Sequence, residues 1–364
     1  MALFLALFLG ASLLSSARAH GDHKENAAQC RGPASNLAVV SAEYIPGKIT
    51  VDGAAADWDA VEGIQFSLYP ALDPASGDPY PGKMTVKATQ AAHDGRDLFF
   101  LLKIPGSYQY KQSVKRASPS VALMFPIGDD ATYVDMGGCS ESLNCSKQSC
   151  GGHEVDIMHF SISDAVPGRS YGANLADNLN GTGRDSTGSL HDLYAWNPHC
   201  RYYDGIGPNG PEANGGAQND WKGVWSHTSI ENQYGLTTAD SPYGASASAG
   251  SYIFEFSRPL QTSDRLQQDA QFSIGKSHRF ASAFWFPVNN VEWSPMQHFS
   301  MNCEWTPLRI VAAENERAES AILATSISTF SLVFAVGSML VSAAIAWWVK
   351  TNKQGRFTPI SDTL

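Results

Sequence analysis

Basic residues are scarce in this chain: 25 Lys and Arg stand against 35 Asp and Glu, giving a formal charge of −10. That balance excludes a nucleic-acid partner, since phosphate binding needs a basic footprint. Charged residues of both signs make up only 16%, while Gly reaches 32 and Pro 19. This composition argues for turns and short strands and against a helical bundle. There is no CxxCH, which excludes covalent c-type haem attachment. There is also no HExxH and no P-loop, no internal repeat, no low-complexity tract, and no amphipathic helix longer than three turns before residue 320.

Charge is missing altogether from one stretch. Ala321 to Val349 runs for 29 residues without a charged side chain. As a helix at about 1.5 Å per residue it is long enough to cross about 30 Å of hydrocarbon. Trp347 and Trp348 stand where an aromatic belt is expected, and Lys350, Lys353 and Arg356 follow. Glu314, Glu316 and Glu319 flank the other side. At the opposite end, MALFLALFLGASLLSSARA combines an apolar run with a small-x-small ending at Ala19, as a secretory signal does. The expected organisation is a signal peptide (1–19), a lumenal or extracellular domain (20–318, core about 48–311), a transmembrane helix (321–349) and a cytoplasmic tail (350–364). Such a chain is a single-pass type I membrane protein of the secretory pathway or cell surface.

Within the ectodomain, apolar runs bounded by Gly, Pro, Asn or Asp predict strands near Lys48–Val51, Met84–Ala91, Leu98–Ile104, Val121–Pro126, Val155–Ser163, Ser251–Phe256, Arg279–Phe286 and Pro307–Val311. His93 to Asp97 reads as a turn between two of them. Short strands with polar turns point to an all-β, antiparallel sandwich. From about Val166 to Gly250 the chain is rich in Gly, Asn, Ser, Tyr and Trp, as a decorated loop region or a ligand-facing lobe would be. Cys30, Cys139, Cys145, Cys150, Cys200 and Cys303 form an even set in an oxidising compartment and are all disulfide candidates. Asn144 and Asn180 open glycosylation sequons.

Catalytic motifs are thin. GxSxG at Gly168–Gly172 and GxGxxG at Gly205–Gly210 both lack the strand and helix that give such letters meaning. Cys139, Cys145, Cys150 and His153 could hold zinc tetrahedrally, but oxidation of the cysteines in a secreted chain is the stronger reading. His20 and His23 near the mature N-terminus could chelate copper. A more pointed pairing sets Met136, beside Gly137 and Gly138, with the distant His298. The glycines permit close backbone approach to a flat ligand.

Several segments, in order, carry a family resemblance: Ile49–Gly53 with Asp57-Trp58, Val86–Ala88 through Leu102, Val121–Pro126, Met136-Gly137, Glu154–Phe160, Tyr252–Leu260, Phe280–Phe286, and Gln297 to Leu308. Together, over roughly Lys48 to Val311, they resemble the haem-binding domain shared by certain bacterial cytochromes and the gamma subunits of ethylbenzene and dimethyl sulfide dehydrogenases. In those subunits a Met and a Lys hold a b-type haem. The resemblance places the Met on Met136 and the Lys on His298, a departure compatible with Met/His ligation. It implies a non-covalent haem b, electron transfer to a redox partner that no motif names, and a potential raised by the thioether. Met124, Met296 and His159 are the alternative ligands, and Phe125, Tyr133, Phe160, Trp293 and Phe299 the expected walls.

A different class of function is also open. Sandwiches of this kind host sugar-binding modules, and Trp58, Tyr194, Trp196, Trp221 and Trp225 would then be the stacking platforms of a carbohydrate- or ligand-binding ectodomain.

Overall fold

The computed structural model describes residues 38–70, 84–111, 114–140, 148–172, 189–204, 206–207, 210–211, 221–230, 249–264, 266–287, 292–293, 299–302, 304–313, 331 and 334–351. Its strands are β1 (Val40–Tyr44), β2 (Gly63–Pro70), β3 (Met84–His93), β4 (Asp97–Pro105), β5 (Ser120–Pro126), β6 (Val155–Ser161), β7 (Tyr171–Gly172), β8 (Leu190–Ala195), β9 (Arg201–Tyr203), β10 (Ile206–Gly207), β11 (Gly210–Pro211), β12 (Lys222–His227), β13 (Ser251–Pro259), β14 (Ser277–Trp285), β15 (Phe299–Met301) and β16 (Thr306–Ile310). The chain divides between Val311 and Ala312 into two units.

The first unit is an all-β sandwich. Twelve of the described strands form one hydrogen-bonded path, β7-β12-β13-β4-β3-β1-β16-β14-β5-β6-β8-β9, that folds over at β14, while β10 and β11 pair only with each other. Residues Ser277–Phe280 of β14 pair with β16, whereas Ala281–Trp285 pair with β5. Strand β2 makes a second corner, pairing first with β3 and then with β15. Pairing is antiparallel except at β1, which runs parallel to both β3 and β16. The two layers meet through aromatic rings. Phe100 of β4 lies 5.9 Å from Phe125 of β5, and Phe160 of β6 lies 6.3 and 6.2 Å from Phe254 and Phe256 of β13. Each such ring contributes about 1.5–3 kcal/mol by leaving water.

Both outer faces are covered as well, which is why β13 is buried nearly end to end. On the first sheet, Trp58 and Val61 pack over Ala92, Leu101 and Ile253. Glu255, fully buried, fastens this cover: it accepts hydrogen bonds from the backbone N–H of Asp52 (3.0 Å) and Gly53 (2.5 Å) and from Trp58 Nε1 (2.7 Å). Those bonds correct the strand expected at Lys48–Val51, which is a loop. Thr50 N–H donates to Asp57, and the donors that follow go to Glu255, so carboxylates replace a ladder here. The turn at His93–Asp97 is present, with Asp94 N–H bonded to Asp97 O at 3.2 Å.

In the second unit one helix, α1 (Phe334–Thr351), is described. It is 18 residues long and apolar enough to cross a membrane. The sandwich plus a single C-terminal spanning helix is the architecture expected from the sequence. The signal segment and both sequons lie outside the described residues.

Candidate functional site

The outer face of the second sheet carries a cavity of about 430 Å³, inside the range of small-molecule and cofactor pockets. Strand register explains its floor. His191 of β8 faces His159 of β6, His159 faces Ala122 of β5, and Ala122 faces Ala283 of β14, forming one row of side chains across four strands. In the neighbouring row Leu193 faces Ile157. Alanines at the row's centre leave room that larger side chains would fill. Met136, Trp285, Trp293, Arg201, Tyr202 and Tyr203 complete the wall.

Met136 is delivered by a strained loop. Thr132 and Gly137 exchange two backbone hydrogen bonds, at 2.9 and 3.2 Å, and pinch off residues 133–136. Inside the pinch Asp135 and Met136 both have positive φ, 52° and 49°. This left-handed conformation costs non-glycine residues on the order of 1–3 kcal/mol each and must be enforced by surroundings. The enforcement is visible. The Cys139–Cys150 disulfide follows the loop, Cys139 N–H donates to Trp196 O, Trp305 Nε1 donates to Ala131 O, and His153 Nδ1 donates to Gly137 O. A Cβ on Gly137 (φ 110°) would stand 2.0 Å from His153 O, and one on Gly138 would stand 2.1 Å from Thr132 Oγ1. Close protein packing alone therefore requires both glycines.

His159 is locked in place. The Ser120 hydroxyl donates to Phe160 O (3.0 Å), so its oxygen accepts from His159 Nε2 (2.5 Å), while His159 Nδ1 lies 3.4 Å from His191 Nδ1. With both ring nitrogens engaged, His159 is poorly placed as an axial ligand. Met124 faces Ile157 on the same side of the sheet and packs in the apolar cluster beside the cavity, without lining it. His298 and Met296 lie outside the described residues. Phe299, which follows His298, pairs with Trp285 on the cavity wall, so the backbone reaches this rim.

Other expected residues fall elsewhere. Phe125 and Phe160 belong to the core between the sheets. Trp293 lines the cavity, and Tyr133 packs beside it. The five aromatics suggested for sugar stacking, Trp58, Tyr194, Trp196, Trp221 and Trp225, are all at most 1% exposed, so none can meet a sugar ring. Oxidation displaces the zinc arrangement: Cys139 and Cys150 are joined, and Cys200 is disulfide-bonded too. Cys30, Cys145 and Cys303 are not among the described residues.

The sandwich thus carries a half-open, largely apolar cavity on one outer face. The chain belongs to the ethylbenzene dehydrogenase family, whose model matches residues 55–298. No curated protein matches it. Among solved structures it is similar to "a putative carbohydrate-binding protein from Bacteroides uniformis", at 14% identity and a TM-score of 0.35, over 75% of this chain and 98% of that one. At that level the likeness carries no argument.

Proposed function

We propose that the cavity binds one b-type haem, with Met136 and His298 as axial ligands, and that the protein transfers electrons on the lumenal or extracellular side of its membrane. The observation that carries this reading is the placement of Met136. The residue that the sequence motif singles out lies on the wall of a half-open cavity of about 430 Å³, in a loop held in a costly conformation. The residues present suit haem. The floor combines Ala122, Ile157 and Leu193 with His159 and His191, the thioether is a soft iron ligand, and exposed Arg201 at the wall can pair with the acidic edge of the ring. The haem would supply one-electron chemistry. The chain's own residues would hold it, exclude water through Trp285 and Trp293, and set its potential. Orientation follows from the signal segment and the Lys/Arg flank after Val349.

The test is a pair of substitutions in the full-length chain. Met136→Ala should keep haem, shift the Soret band and lower the potential. His298→Ala should release haem on washing, because imidazole is the stronger ligand. Spectra unchanged in both variants would place the haem elsewhere.

A further inference from the structure

Behind the cavity floor, on the inward side of the same two strands, lies a cluster that the haem reading does not use. Asp156 of β6 stands beside Ile157, and Asp192 of β8 stands between His191 and Leu193. Asp269 joins them from the segment after β13, where Asp264 accepts the N–H of Gln268 and of Asp269. One carboxylate oxygen from each of the three lies within 4.8 Å of the other two. Their exposures are 1%, 4% and 6%.

Among the described residues one buried cation, Arg258, faces them. Arg258 Nη1 donates to Asp156 Oδ2 at 2.5 Å, Nη2 donates to Ala270 O at 2.8 Å, and the guanidinium packs 5.4 Å from Phe125 and 5.0 Å from Phe272. The Ala270 N–H, 2.9 Å away, also goes to Asp156 Oδ2. The other oxygen of the same carboxylate, Asp156 Oδ1, is buried and has no hydrogen-bond partner. Asp204, buried nearby, has partners of its own. With all three carboxylates ionised beside one guanidinium, the cluster would hold an excess of two negative charges in a place where unpaired charge costs several kcal/mol. A divalent cation cancels that excess, and the unused lone pairs of Asp156 Oδ1 give it a ready ligand.

We propose that Asp156, Asp192 and Asp269 bind one Ca²⁺ ion between the two sheets. Calcium fits better than magnesium. Its bonds to oxygen are about 2.3–2.6 Å, and it accepts irregular oxygen sets supplied by separate segments. Magnesium demands a tight octahedron and keeps its waters, which this dry site does not suit. The ion pins β6 and β8 to the segment after β13 and so stiffens the sheet whose other face forms the cavity. This site stands whether or not the cavity holds haem.

The experiment uses the full-length chain in detergent, stripped with EDTA and titrated with CaCl₂ by calorimetry and thermal unfolding. One Ca²⁺ per chain is expected, with a Kd of about 0.1–1 mM, as in extracellular calcium modules, and a Tm raised by about 5 °C at 100-fold excess over Kd. MgCl₂ should need at least about ten-fold higher concentration. Asp192→Asn and Asp269→Asn each relieve one excess charge, so at least one should fold, and each should weaken calcium binding more than about ten-fold. Absence of heat and of any Tm shift in the parent chain would overturn the site. So would a folded Asp192→Asn or Asp269→Asn variant with the parent's calcium response, which would place the ion elsewhere.

Discussion

Replacing Glu255 with Gln probes the fastening of the outer cover on the first sheet. The carboxylate is fully buried and accepts three N–H groups, from Asp52, Gly53 and Trp58. Burial raises its pKa from 4.5 to about 7, against the lowering effect of those donors. A raised value means the folded chain favours the protonated acid. The associated stability is fully present below pH 4.5 and is lost as pH climbs through about 7. At 1.36 kcal/mol per pH unit the window is worth about 3 kcal/mol. Gln cannot ionise. Near pH 4.5 it replaces a neutral acid of the same shape, but its NH₂ cannot accept, so at least one of the three N–H donors loses its partner at a cost of about 1–3 kcal/mol. By pH 7.5 the Gln chain should have gained about 3 kcal/mol relative to the parent. Urea unfolding followed by tryptophan fluorescence at a series of pH values gives both curves. Parallel curves, or a Gln variant that loses ground as pH rises, would refute the reasoning. The second outcome would mean that the three donors, and not burial, set the charge state.

Reduction of the Cys139–Cys150 bridge, or Cys150→Ser, should cost about 2–4 kcal/mol and loosen the Met136 loop, read as a lower Tm and a broadened Soret band. Gly137→Ala should destabilise by more than about 2 kcal/mol, since its Cβ would collide with His153 O at a φ of 110°; unchanged urea midpoints would contradict the loop geometry. Arg258→Met strands Asp156 and should cost about 3–5 kcal/mol, measured by thermal unfolding. In sealed microsomes, glycan at Asn144 or Asn180 together with protease-sensitive tail residues after Lys350 is expected; a protected tail would reverse the orientation.

Strands with long apolar runs were legible in the sequence. Met84–Ala91, Leu98–Ile104, Val121–Pro126 and Arg279–Phe286 fold within a few residues of where those runs stand, and so do Val155–Ser163 and Ser251–Phe256 although they carry Asp156, His159 and Glu255. Strands in which polar residues break up the run were not. β8 reads LHDLYA because His191 faces the cavity and Asp192 faces the acid cluster, so site residues interrupt the apolar run that marks a strand. β12 reads KGVWSH, with Ser226 bonded to Gly53 O, and was hidden in a stretch rich in Gly and Trp. β1 was missed because its parallel partners, β3 and β16, lie far along the chain. Met136 was legible through its motif. Trp285, Arg201 and the cross-strand partner of His159 were not, since register between strands leaves no mark in a single sequence.

The central claim is a haem in this cavity, held by Met136 and His298. Its most direct test is the absorption spectrum of the full-length chain produced with ample haem and then titrated with haemin after stripping. One haem per chain, with a sharp Soret band that Met136→Ala displaces, is the result expected. A folded, colourless protein that takes up no haemin would contradict it.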